Sequence, residues 1–188
     1  MALRLDRRTF LYAALAGARA RGAAAQTPAE RLIAAIQDGG KIIYLRAPGP
    51  EATGRAPELG RALRALRVPL NEIVTSPLAA ARDTADRTFG AERAGVMVEL
   101  APGDHAGDRL NAMMQEVRRM LRTEAGPGMN RVLIGDRAAL ELATERRFPD
   151  AVLPDGAMAV FLPGDGIQLL GTITAERVIA SAKARGAL

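Results

Sequence analysis

Residues 71–90, "NEIVTSPLAAARDTADRTFG", carry the pattern that decides the fold. Ile73 and Val74 close a short β-branched run, the composition of a buried strand. Ser76 then reads as a helix cap, with Pro77 at the first helical position, where its missing N–H removes no hydrogen bond. Leu78, Ala81, Ala85 and Phe89 recur at helical spacing as an inner face, and Gly90 ends the run. A strand that runs directly into a helix is one unit of an α/β protein.

The unit recurs on both sides. "KIIYLR" (41–46) is a buried strand, and "ELGRALRALRV" (58–68) is an amphipathic helix with Leu59, Leu63 and Leu66 on one face. "AERLIAAIQDGG" (29–40) precedes them as a helix stopped by two glycines. "VMVEL" (96–100) is a third strand candidate. The longest helix follows, with a stripe of Leu110, Met113, Met114, Val117, Met120 and Leu121; the methionines read as core filler. "NRVLIGD" (130–136) leads into "RAALELATERR" (137–147) as strand and helix. "GAMAVFLPGDGIQLLGTI" (156–173) reads as two strands around a Pro-Gly-Asp-Gly turn, and a helix capped by Thr174 closes the chain. The alternation predicts a three-layer α/β sandwich, a mostly parallel central sheet flanked by helices, with part of the sheet made antiparallel by the final hairpin.

Composition narrows the chemistry. The 188 residues suffice for one domain with a real core, built without Trp and with few aromatics. No cysteine is present, so disulfides, thiolate catalysis and cysteine-bound zinc are excluded, and His105 is the only histidine. No metal site and no cofactor is expected. The net charge of +5 invites a nucleic-acid reading. Residues 1–25, however, hold Arg4, Arg7, Arg8, Arg19 and Arg21 against Asp6 alone, a net of +4, which leaves +1 for residues 26–188. Without a basic block or stacking aromatics there, nucleic-acid binding is not expected.

Residues 1–25 read as an address. Arg7-Arg8, the apolar run from Phe10 to Ala18 and the small residues Ala23-Ala24-Ala25 follow the layout of an export signal. "DRRTFL" resembles the twin-arginine signal. The apolar run is shorter than the roughly 20 residues needed to span a bilayer. The expectation is a 1–25 signal, a mature domain over 26–188 and a periplasmic location, with no membrane span.

Ligands of open α/β sheets sit beyond the carboxyl ends of the strands. Three such ends carry notable side chains: Arg46, Arg82 in the second turn of the following helix, and Asp136. Two guanidiniums beside a helix start suit a phosphate or carboxylate. From spacing alone, capping or ion pairing by these arginines is the leading reading.

The order of "IIYLRAPG", "LGRALRALRVPLNEIVTSPLAAARDTADRTFG", "RVLIGDRAAL" and "GAMAVFLPGDGIQLLGTI" resembles the histidine phosphatase superfamily, the phosphoglycerate-mutase-like fold, across residues 30–188. The most specific piece is "SPLAAARDTADRTFG". The resemblance implies that Arg82 is a phosphate-binding arginine and that Arg46 is the arginine of the Arg-His-Gly motif. It also places Ala47 where the nucleophilic histidine stands, Pro48 where the glycine stands, and Asp136 where a second histidine stabilises the transferring phosphoryl group. A methyl group is no nucleophile, and a carboxylate opposes phosphate charge. His105, in a loop where the family often carries an acidic proton donor, and Glu99, Asp104 and Asp108 near it are the remaining candidates. Arg55 could reach the pocket from the first loop.

Three functions stay open. The first is an exported, catalytically inactive protein of this fold that binds a phosphate-bearing or other anionic small molecule through Arg46 and Arg82. The second is a phosphohydrolase of altered chemistry using Asp136. The third is a structural or interaction protein in which Asp136 pairs with Arg46 or Arg82 and fills the site; no protein partner is identifiable.

Overall fold

The computed structural model describes residues 26–48 and 53–188, with the backbone alone described at Thr53 and Asp104–Ala106. Residues 1–25, expected to be an export signal, lie outside the described residues. Six strands form one sheet: β1 (Ile42–Arg46), β2 (Leu70–Thr75), β3 (Gly95–Val96), β4 (Asn130–Gly135), β5 (Met158–Leu162) and β6 (Gln168–Ile173). Their spatial order is β3-β2-β4-β1-β5-β6. The β3-β2, β2-β4 and β4-β1 pairs are parallel, and β1-β5 and β5-β6 are antiparallel. The mostly parallel sheet with an antiparallel hairpin is the architecture expected from the alternation of strand and helix.

Six α-helices cover the sheet: α1 (Pro28–Asp38), α2 (Ala56–Ala65), α3 (Ala79–Phe89), α4 (Leu110–Arg122), α5 (Arg137–Thr144) and α6 (Ala175–Ala184). Alternation along the strands assigns the two faces. Ile43 and Leu45 of β1 pack with α1, α2, α3 and α6, while Ile42 and Tyr44 pack with the methionines of α4 and with α5. Period-2 side-chain direction on strands buried on both sides requires this split. The Met113, Met114 and Met120 stripe lies in the core, as its helical spacing predicts.

Two local expectations fail. The helix after β2 starts at Ala79 with Leu78 as its cap, not at Ser76-Pro77. Ser76 instead stays in line with the sheet, its N–H donating to the Ile134 carbonyl at 2.8 Å. Its Oγ is buried without a partner among the described residues. Leu78, expected on the inner face, is 46% exposed. The third strand is only two residues long, and Val98–Leu100 turns into a 3-10 helix.

Candidate functional site

The carboxyl ends of β1, β2 and β4 open into a cleft of about 470 Å³. Arg46, the last residue of β1, stands opposite Gly135 in the ladder, and Ala47 extends that ladder by donating its N–H to the Gly135 carbonyl at 2.8 Å. Gly135 has no side chain for a steric reason. A Cβ there would stand 2.5 Å from the Tyr44 hydroxyl and 2.9 Å from the Leu100 carbonyl. The Tyr44 O–H uses that space to donate to the backbone carbonyl of Asp136 at 2.7 Å. Burial, helped by the nearby Asp136 charge, pushes the Tyr44 phenol well up, so it stays a neutral donor.

Asp136 does not pair with either arginine. Its Oδ1 accepts the Ala139 N–H at 2.8 Å and caps α5. Burial pushes the Asp136 pKa above the ordinary aspartate value, making it a weaker acid, and the capping bond only partly opposes this. Asp136→Ala is expected to lose about 1 kcal/mol of stability with the cap. Asp136→Asn keeps an N-cap oxygen without a buried charge and should match or exceed the wild type. Urea unfolding of the two variants distinguishes a capping residue from one held for chemistry.

Arg46 is the most heavily committed side chain of the cleft. Its Nη1 donates to Asp150 Oδ1 and to the Leu153 carbonyl, each at 2.6 Å, and its Nη2 meets Asp155 Oδ1 at 2.6 Å. The backbone is fixed to the same loop: Arg46 N–H donates to the Ala157 carbonyl, and its own carbonyl accepts from Gly156 N–H. Asp150 also takes Arg137 Nη1 at 2.7 Å. The hydrogen bond from Arg46, with the Arg137 charge behind it, holds the Asp150 carboxyl below the usual aspartate range. A folded-state value lowered in this way favours the folded contact at neutral pH, and that contribution disappears as pH falls through the lowered value. Asp150 is exposed, so its energetic share is small. The geometric consequence is larger. The Arg46 side chain is 15% exposed, and its forked donors already face two carboxylates and a carbonyl.

The other expected residues lie outside this group. Arg82 is exposed on α3, has no side-chain ion pair or hydrogen bond among the described residues, and does not line the cleft. Arg55 pairs with Glu176 at 3.2 Å and lines a neighbouring cavity instead. Glu99 is half-buried and Asp108 exposed, and neither lines the cleft. The side chains of Asp104 and His105 lie outside the described residues. Asp150, Asp155 and Arg137 are the site residues that sequence reasoning missed. Among the described residues, Arg46 and Arg137 pair with Asp150 and Asp155, while Asp136 and Glu141, which also line the cleft, are engaged by the Ala139 N–H and by Phe148 N–H and Arg147 respectively. Among the described residues no group of three or more potential ligands would hold a metal ion, and no helix is long and apolar enough to cross a membrane.

No family model and no curated protein matches the chain. Solved structures do. The protein histidine phosphatase SixA complexed with tungstate superposes with a TM-score of 0.50, covering 73% of this chain and 99% of that one at 11% identity. A phosphoserine phosphatase from Entamoeba histolytica in complex with 3-phosphoglyceric acid gives 0.49 over 73% and 98% at 11% identity. A putative phosphohistidine phosphatase SixA from Agrobacterium tumefaciens gives 0.47 over 72% and 97% at 15% identity. The superposition on the protein histidine phosphatase SixA, together with the sheet order, shows that the chain has the histidine phosphatase fold.

Proposed function

We propose that this chain is a non-catalytic protein of the histidine phosphatase fold, in which its own carboxylates occupy the arginine that would otherwise hold a phosphate. The observation that carries this reading is the set of three contacts from Arg46 to Asp150, Leu153 and Asp155. That no nucleophile stands in the cleft among the described residues supports it. Ala47 offers a methyl group, and Asp136 is engaged as a helix cap beside the cleft. Phosphoryl transfer needs preorganised positive charge where the transition state is negative, and here the guanidiniums that would supply it are paired with Asp150 and Asp155. The same bonding argues against Asp136 as a catalytic base or nucleophile.

Turnover of p-nitrophenyl phosphate by residues 26–188, beside Arg46→Gln, tests the proposal. No difference between the two proteins is expected. Steady turnover that Arg46→Gln abolishes would overturn it.

A second reading is that the cleft takes a phosphate-bearing or other anionic small molecule once Asp150 or Asp155 releases Arg46. Arg137, a second guanidinium lining the cleft at the start of α5, favours it. The Arg7-Arg8 pair and the Ala-rich run behind it support export to the periplasm as part of the same proposal.

A further inference from the structure

Beside the cleft lies a second cavity of about 310 Å³, between β1, the start of α2, α3 and the start of α6. Its size is at the low end for small-molecule sites, which run from about 300 to 1,000 Å³. Leu45, Ala56, Leu59 and Ala175 give it an apolar wall. Thr88 also lines it, and this residue is 1% exposed with an Oγ1 that finds no hydrogen-bond partner among the described residues. A buried hydroxyl without a partner is costly and is normally satisfied by protein, water or ligand. At the rim, Arg55 Nη1 and Glu176 Oε1 stand 3.2 Å apart with side chains 60% and 54% exposed.

The rim decides the class of ligand. A purely anionic molecule meets Glu176, and Asp155 also lines the cavity. A purely cationic one meets Arg55. A molecule carrying both signs on adjacent atoms matches the pair, and an apolar stem suits the wall behind it. An exposed ion pair is worth little to the fold, so opening it toward a ligand costs little.

We propose that this cavity binds a free α-amino acid: carboxylate on Arg55, ammonium on Glu176, side chain against Leu45 and Leu59. This site needs no phosphate chemistry, and it shares Asp155, the Nη2 partner of Arg46, with the cleft.

Isothermal titration of residues 26–188 with L-leucine and L-glutamine tests it, against 4-methylpentanoate and 3-methylbutylamine, which each keep one charge of leucine. Saturable binding of at least one amino acid is expected, with both single-charge analogues weaker by about tenfold, the loss that follows from one charge-assisted hydrogen bond. Arg55→Gln and Glu176→Gln should each weaken binding by a similar factor, and both positions are exposed enough for the fold to tolerate them. No heat with either amino acid, equal binding of the single-charge analogues, or unchanged binding in Arg55→Gln/Glu176→Gln would each overturn the proposal.

Discussion

Gly60→Ala is expected to lower the melting temperature by roughly 5–10 °C, although alanine is the better helix former. Gly60 is buried in the middle of α2, where α2 crosses α3. A Cβ at this position would stand 1.9 Å from the Thr88 carbonyl oxygen and 2.8 Å from its carbon. The obstacle is backbone, so no rotamer change relieves it and the two helices must separate. Helix propensity favours alanine by about 1 kcal/mol. Overpacking a tight contact costs about 1–3 kcal/mol and sometimes more, and here a helix pair over the main core must shift. A net loss of about 2–3 kcal/mol converts at roughly 2–4 °C per kcal/mol for a domain of this size. Gly166→Ala is the control, since nothing lies within 4 Å of the added Cβ. Thermal unfolding followed by circular dichroism reads both. A Gly60→Ala protein as stable as the control would show that the α2–α3 approach is looser than described.

The layers and the sheet were legible because they depend on periodicity. Ile42–Arg46 and Asn130–Gly135 are short apolar runs bounded by turn residues, and the helices carry their apolar positions three and four apart. Helix starts were less legible. Ser76-Pro77 has the local chemistry of a cap, but Ser76 N–H is taken by the Ile134 carbonyl, so the strand persists one residue longer and the helix begins at Ala79. Tertiary pairing outweighs a capping preference of about 1 kcal/mol. Arg82 illustrates the angular side of the same problem. Ala81 and Ala85 point into the core, and one residue along a helix of 3.6 residues per turn rotates Arg82 away by about 100°.

The site was legible only in part. Arg46 and Asp136 were found because strand ends mark ligand positions in α/β sheets. Asp150 and Asp155 were not, because they lie in a loop whose Pro, Asp and Gly content reads as ordinary solvated chain. The contact that matters joins residues 104 positions apart, which no local pattern reports. The pairing once expected between Asp136 and an arginine is made by Asp150 and Asp155 instead, since the Asp136 carboxylate is spent on the α5 N-terminus.

The second large effect follows from that pairing. Asp150→Asn/Asp155→Asn leaves the Arg46 guanidinium in place and keeps the size and polarity of both partners, but removes the two negative charges that face it. Arginine binds phosphate through the same forked donors that it now offers to carboxylates. Arg137, released from the charge of Asp150, adds a second cation at the start of α5. The double variant is therefore expected to bind inorganic phosphate or vanadate with a dissociation constant in the low millimolar range, about −4 kcal/mol. The wild type should need at least about tenfold more. A hundredfold excess over the dissociation constant adds about 2.7 kcal/mol to stability, which melting reads as a shift of several degrees.

The most direct test of the account is thus a thermal-shift titration of residues 26–188 with phosphate at neutral pH, in the wild type, in Asp150→Asn/Asp155→Asn, and in that double variant with Arg46→Gln added. Expected on this account are a wild-type response that needs at least about tenfold more phosphate, a saturable rise of several degrees in the double variant, and loss of that rise when Arg46 is removed. A wild type that responds as strongly as the double variant would contradict it, since Arg46 would then be free for phosphate despite Asp150 and Asp155.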